Sequence, residues 1–233
     1  MITPTLATLP PVPAEASTPR AAWQQGWAQP AFRRSWQLQL ALMFGLVVPF
    51  TPFFFHTIQQ RPGWLLPDPV LDLLPRHDVT VPIFLLVWGA VVLGVGWLTR
   101  HPRLFLRGMW ALLLLLVLRM ATIWLVPLVP PLAMVPMVDP LTDTLFHTTS
   151  SEAITKDLFF SGHTSTVVLL ALAVRGRWWR GLLAAMAVAV GVLVLVQRVH
   201  YTYDVLAAPC FSWFAYWLGS RLVQRAWPSA YQA

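Results

Sequence analysis

The sequence predicts an all-α membrane protein, a bundle of six transmembrane helices with both termini in the cytoplasm. Three observations predict it. Of 233 residues, 57% are hydrophobic and only 11% are charged, where soluble domains carry roughly 25% charged residues. Six stretches, 36–56, 81–98, 104–129, 158–174, 181–197 and 201–223, approach the roughly 20 apolar residues that cross a hydrocarbon core. The basic residues gather between alternate stretches. With the N-terminus inside, the inner segments hold eleven of them (Arg20, Arg33, Arg34, Arg100, Arg103, Arg107, Arg175, Arg177, Arg180, Arg221 and Arg225) against one acid, Glu15. The outer segments hold four, Arg61, Arg76, Lys156 and Arg198, against eight acids. Lys and Arg favour the cytoplasmic side, which sets the orientation. A net charge of +7 in a soluble protein would point to nucleic acid. Scattered in short clusters between apolar runs, these charges are topology signals, and no nucleic-acid partner is expected.

Residues 1–34 contain six prolines and lack the apolar core of roughly 7–15 residues that a cleavable signal peptide needs. They read as a Pro-rich cytoplasmic tail, poorly ordered, ending in an interfacial segment around Trp23, Trp27 and Trp36. Residues 35–225 form the membrane domain, and 226–233 a short cytoplasmic C-terminal tail. The first outer loop carries "LPDPVLD" (66–72). The third span contains Arg119, the one basic residue that the count assigns to neither side, besides a run of leucines (112–116) that reads as lipid-facing bulk. The fourth and fifth spans are short and meet the outer side, which places a site near that surface. Trp64, Trp178, Trp179 and Trp227 fit an interfacial belt. The single Cys210 excludes an intrachain disulfide framework, and His56, His77, His101 and His147 fall in no motif.

Ionisable groups mark the outer end. His163 stands in "FFSGHTSTVVLL" (159–170), and His200 and Asp204 in "VHYTYDVL" (199–206). Arg119 lies in the outer half of its span. These four groups share one depth, and such residues in membrane helices are costly and face a polar cavity or each other. His200 and Asp204, four apart, share a helix face, and a carboxylate beside an imidazole fixes its tautomer and stabilises its charged form. His163 can protonate a leaving oxygen. Ser161 and Gly162 offer backbone N–H groups at a helix start for a phosphate, and Arg119 or Arg198 charge-assisted contacts to its oxygens. Together these parts fit phosphoryl transfer through a phosphohistidine. Each part also has a plainer use. Ser161 is a good N-cap, the histidine–aspartate pair can be a structural tie, and Arg119 can pair with an acid in the bundle. His163, His200 and Asp204 can hold a metal. Their joint occurrence at one depth favours catalysis.

"DLFFSGHT" (157–164) followed by "HYTYDV" (200–205) resembles the two signature motifs of sphingomyelin synthases and their relatives, in the type 2 phosphatidic acid phosphatase superfamily. "LPDPVLD" is similar to the Pro-Asp motif before that family's second span. "LRGMWALLLLLVLRMATIWLVPLVPP" (106–131) is similar to its third-span motif, here with Arg119, Thr122 and Pro127. The resemblance covers roughly residues 60–220. It implies six membrane helices with the site on the exoplasmic face, His200 as the nucleophile, Asp204 as its partner and His163 as the acid–base. Asp157, Tyr201 and Arg198, in or beside the same motifs, join Arg119, Ser161 and Gly162 as candidate contacts to the substrate phosphate. Two departures matter. Where the family has Cys-Gly-Asp, this chain has Thr155-Lys156-Asp157, which bears on head-group selection. The Lys-x6-Arg-Pro signature of the lipid phosphatases is absent, which favours the synthase branch.

The expected activity is transfer of a phospho-head group, phosphocholine or phosphoethanolamine, from a glycerophospholipid to ceramide or another lipid alcohol, with no metal or organic cofactor. Two rivals stand beside it. Water attacking the same intermediate gives a lipid phosphatase or a phospholipase C-type hydrolase. A non-enzymatic membrane protein, such as a transporter, should show polar residues at mid-bilayer, and the fifth span has none before Gln197. Arginine outnumbers lysine fifteen to one, which points to a GC-rich bacterial genome and so to an inner-membrane protein with a periplasmic site.

Overall fold

The computed structural model describes residues 18–137 and 154–226, and these form helices joined by irregular segments. In chain order the helices are α1 (Pro19–Ala28), α2 (Pro30–Leu42), α3 (Val48–Gln60), α4 (Pro69–Leu73), α5 (Thr80–Leu98), α6 (Pro102–Leu125), α7 (Gly162–Ala173), α8 (Arg177–Val196) and α9 (Thr202–Ala226). Among the described residues, extended pairing is limited to one isolated bridge between Trp64 and Leu128.

Four helical stretches are long and apolar enough to cross a membrane: Pro30–Gln60, Thr80–Leu98, Pro102–Leu125 and Arg177–Val196. The other two expected spans differ. The helix expected from 158 begins at Gly162 and has 12 residues. Its N-terminal part is irregular because Phe159 and Phe160 both have positive φ, 72° and 47°. The last helix has 25 residues, but Asp204, Ser212, Arg221 and Gln224 interrupt its apolar residues.

The first span starts earlier than its composition foretells. A π-helical turn, Met43–Val47, joins α2 to α3 without a break. Pro49 and Pro52 lack the N–H groups that would bond the carbonyls four residues back. The ladder therefore widens locally, Val48 N–H reaching Met43 O. Thr51 covers the carbonyl of Val47 with its hydroxyl at 2.8 Å. The segment around Trp23 and Trp27 is helical from Pro19 onward. Thr18 caps α1 by accepting from Ala21 N–H at 3.2 Å, and Trp23 Nε1 donates to Thr99 O at 2.6 Å. Trp23, Phe32, Trp36 and Phe105 then meet edge-on or stacked at 5.6–6.2 Å, which pins α1 across the ends of α2 and α6.

Helices α5 to α9 form the bundle proper. Ile83, Val87 and Ala90 of α5 pack with Val167 and Ala171 of α7 and with Leu183, Ala187, Val190 and Val194 of α8. Ala111 and Leu115 of α6 pack with Leu169 of α7 and with Ala208 and Ala215 of α9. Small residues let α6 and α9 approach closely: a Cβ on Gly219 would lie 2.9 Å from the backbone nitrogen of Ala111. Large apolar side chains such as Leu38, Phe53, Leu85, Val92, Val188 and Leu206 face outward, as a lipid-solvated surface requires.

The helix polarity sets the site. The ends of α3, α6 and α8 and the starts of α5, α7 and α9 come to one end of the bundle. Bonds across that end include His77 N–H to Val196 O at 3.3 Å, Trp64 N–H to Pro127 O at 2.9 Å and Ser161 N–H to Asp204 O at 3.1 Å. Gln197, fully buried at the end of α8, is a hub there. Its side chain donates to Thr80 Oγ1 at 2.8 Å and Asp78 Oδ1 at 3.2 Å, and accepts from Val79 N–H at 2.5 Å. Hydrogen bonds from Thr80, first its N–H and then its hydroxyl, and from Gln197 hold the Asp78 carboxyl below its usual range.

Candidate active site

Each functional side chain is placed by a helix start. Ser161 caps α7, its hydroxyl accepting from Thr164 N–H at 3.4 Å and Thr164 Oγ1–H at 3.1 Å. That puts His163 in the first turn. His200 lies just before α9 and Asp204 in its first turn. His200 Nδ1 and Asp204 Oδ2 are 3.2 Å apart. A carboxylate only accepts, so in the neutral ring Nδ1 carries the proton and Nε2 keeps its lone pair. The same Oδ2 accepts from Tyr201 N–H at 3.1 Å, and the Asp204 carbonyl takes Ser161 N–H. The two motifs, about forty residues apart, are thereby one hydrogen-bonded unit.

The imidazoles of His163 and His200 stand 6.5 Å apart between centroids at 64°. Phe84 of α5 meets His163 edge-on at 5.6 Å. Both histidines line one cleft with Met134, Pro136, Met137, Ile154, Thr155, Asp157 and Val199. One wall is apolar, and Thr155, Asp157 and the histidines form the polar side. His200 is 4% exposed and Asp204 fully buried, and His200 lines this cleft.

Arg119 is buried behind the histidine motif. Its guanidinium pairs with Asp157 Oδ2 at 2.6 Å and also donates to the carbonyl of Phe160. A Cβ on Gly162 would sit 2.8 Å from Arg119 Cζ, so only glycine admits the arginine here. The left-handed backbone at Phe159 and Phe160 costs about 1–2 kcal/mol per residue. Two contacts offset it: the charged donor on the Phe160 carbonyl, about 1.5–3 kcal/mol, and the stacking of Phe160 on Phe211 at 4.5 Å and 9°, about 0.5–1.5 kcal/mol. Arg119 thus shapes the segment that leads into His163, and Asp157 reaches the cleft.

Three other candidates are engaged elsewhere. Arg198, at φ 57°, donates to the carbonyls of Leu71 and Leu74 at 3.3 and 3.5 Å and lies 4.0 Å from Asp72. Tyr201, 1% exposed, donates to Val129 O at 2.9 Å and accepts from Leu66 N–H at 3.3 Å. Both tie together loops at this end of the bundle, and neither lines the cleft. Ser161 spends its hydroxyl on the cap and its N–H on Asp204, which leaves the N–H of Gly162, the first residue of α7, to point out of the helix end. Lys156 is also accounted for: its ammonium donates to the Gln59 carbonyl at 2.8 Å, at the C-terminus of α3, where a cation is favourable. Two polar side chains at this end, Asp68 and Gln197, had no assigned role in the sequence reading. A buried carboxylate or amide at a span end is the signal that marks them.

Residues 156–221 match the model of the PAP2 superfamily C-terminal domain. The match takes in both histidine motifs and implies an enzyme that acts on phosphate groups, with lipid phosphates as the substrate class. It leaves out the "LPDPVLD" loop and Arg119. No curated protein and no solved structure matches the chain.

Proposed function

We propose that this chain is a lipid phosphotransferase that moves a phospho-head group from a glycerophospholipid to ceramide or another lipid alcohol. The observation that carries the reading is the pair of imidazoles 6.5 Å apart in one cleft, one of them tied to a buried carboxylate. In the first half-reaction Nε2 of His200 attacks phosphorus, and the bond to the diacylglycerol oxygen breaks. His163 gives that oxygen its proton. In the second half-reaction the acceptor hydroxyl gives its proton to His163 and attacks phosphorus, and the N–P bond breaks. Asp204 stabilises the positive charge on the His200 ring throughout. Met134, Pro136, Met137 and Ile154 give the cleft an apolar wall beside the histidines, which suits a lipid acceptor over water. Arg119 supports the phosphate site through Asp157 and the Phe160 carbonyl.

Purified protein in vesicles of a head-group-labelled glycerophospholipid tests the reading. With ceramide present, the label is expected to move to ceramide. Release of only a water-soluble labelled head group, ceramide or not, would identify a hydrolase and overturn transfer. We also place the cleft on the outer face, from the charge count. In a chain with Cys210 replaced, a cysteine at the exposed Ile154 should react with an impermeant thiol reagent in intact cells, whereas one at the exposed Trp178 should not; the reverse pattern reverses the orientation.

Arg119→Lys keeps a positive charge but loses the planar fork that reaches Asp157 and the Phe160 carbonyl together. Turnover of lipid is expected to fall about 10- to 100-fold, the range for a lost buried charged hydrogen bond, with folded protein retained. Near-normal turnover would show that the guanidinium is dispensable.

A further inference from the structure

The first outer loop joins the site through a single carboxylate. Asp68 is 6% exposed. Its Oδ1 accepts from Leu71 N–H at 3.1 Å, capping α4. The same oxygen accepts from the Thr202 hydroxyl at 3.0 Å, and Oδ2 accepts from Thr202 N–H at 2.6 Å. Thr202 is the first residue of α9, midway between His200 and Asp204. One side chain therefore caps two helix starts that are far apart in sequence.

The start of α9 needs this help. Tyr201 stands at the N-cap position, and a phenol cannot reach back to accept from the first-turn N–H groups as Ser, Thr, Asp or Asn would. Asp204, at the third helical position, supplies half of a capping box by accepting from Tyr201 N–H. The Tyr201 side chain cannot supply the other half, and Asp68 covers a different first-turn donor, Thr202 N–H. Asp204 Oδ1 is buried and has no hydrogen-bond partner among the described residues. Without Asp68 the Thr202 donors lose their acceptor side chain, and the Asp204 carboxylate, two residues on with an unpartnered oxygen, can take them. Turning to serve them, it would leave His200 Nδ1.

We propose that Asp68 is a positioning residue for His200, holding the Thr202 donors so that the Asp204 carboxylate stays on the imidazole. This deepens the reading above and rests on it, since it takes His200 as the group that accepts phosphorus.

Asp68→Asn and Thr202→Val test the proposal. Asn keeps the size but surrenders one acceptor oxygen; Val removes the hydroxyl alone and keeps the N–H bond. In Asp68→Asn, kcat for head-group transfer is expected to fall about tenfold or more with KM little changed. The effect in Thr202→Val should be smaller and of the same kind. A second readout needs no lipid: the rate at which diethyl pyrocarbonate modifies His200 in folded protein, followed by mass spectrometry. That rate should rise several-fold in Asp68→Asn while the rate at His101, at the opposite end of α5, stays constant. Unchanged modification of His200 in both variants overturns the proposal. So does a parallel rise at His200 and His101, which would mean general loosening, or a loss confined to KM. If Asp68→Asn does not fold, Thr202→Val alone decides by the same criteria. If the unmodified protein moves no label from lipid, the phosphotransferase reading fails, while the modification rates still decide whether Asp68 holds His200.

Discussion

His200→Ala is expected to abolish head-group transfer and head-group hydrolysis together, by on the order of 10⁴-fold or more. Both reactions pass through the bond between Nε2 and phosphorus, so no choice of acceptor bypasses its loss. The surroundings should tolerate the change, because Asp204 keeps its bond to Tyr201 N–H and Ser161 keeps its bond to the Asp204 carbonyl. The check is a label-release assay on the variant beside an acid-labile phosphoprotein assay on the unmodified chain. Persistent hydrolysis in His200→Ala would mean that water attacks phosphorus directly and that no phosphohistidine forms. Asp204→Asn should behave as a weakened form of the same lesion, since it leaves the ring without the acceptor that fixes its tautomer.

His163→Ala should fail selectively. Its ring gives a proton to the departing oxygen, so its absence matters most when that oxygen is a poor leaving group. Diacylglycerol is one, and loss of general-acid help there is expected to cost about 10²- to 10⁴-fold. An aryl phosphodiester releases a phenolate whose conjugate acid has a pKa near that of free tyrosine, about 10, and needs little help. First-step turnover of such a substrate by His163→Ala should stay near that of the unmodified protein. The comparison is a burst experiment with both substrates on both histidine variants. A burst that survives in His200→Ala and disappears in His163→Ala would exchange the two roles.

The catalytic candidates were legible because they lie close together along the chain or recur at one depth. His200 and Asp204 are one helical turn apart, and "SGHT" marks a helix start whatever surrounds it. Partners chosen across the fold were not legible. Asp68 and Thr202, or Gln197 and Asp78, lie more than a hundred residues apart, and nothing local announces the bond. Direction was equally hidden. Arg198 and Tyr201 flank His200 in sequence, but Arg198, in a left-handed turn, sends its side chain to the carbonyls of Leu71 and Leu74, and Tyr201 points at Val129. The apolar triplet Leu158-Phe159-Phe160 reads as the start of a span, but it is held in an irregular turn by bonds from elsewhere in the fold, Arg119 to the Phe160 carbonyl and Ser161 N–H to the Asp204 carbonyl. Four of the six expected spans were readable from composition; the fourth is cut short by the positive φ at Phe159 and Phe160, the sixth is interrupted by polar residues, and prolines in the first span widened its ladder.

The shortness of α7 bears on how a lipid gets to the histidines. Twelve helical residues rise about 18 Å, against a hydrocarbon layer of about 30 Å. The remaining depth is filled by irregular chain, whose polar groups could not survive against acyl tails unless satisfied within the protein. Here Gln59 serves the N–H groups of Thr155 and Lys156, Arg119 the carbonyls of Asp157 and Phe160, and the Asp204 carbonyl the N–H of Ser161. The result is a polar notch cut into the rim of the slab. In the proposed reaction, a phospholipid drifting sideways in its own leaflet would bring its phosphorus to that notch with its tails still in oil. An enzyme that drew its substrate out into water would forfeit about 0.8 kcal/mol for every methylene exposed, and two long chains would make that larger than most reaction barriers. On the proposed function, a helix that stops early would let the site reach down to the lipid and remove the extraction step.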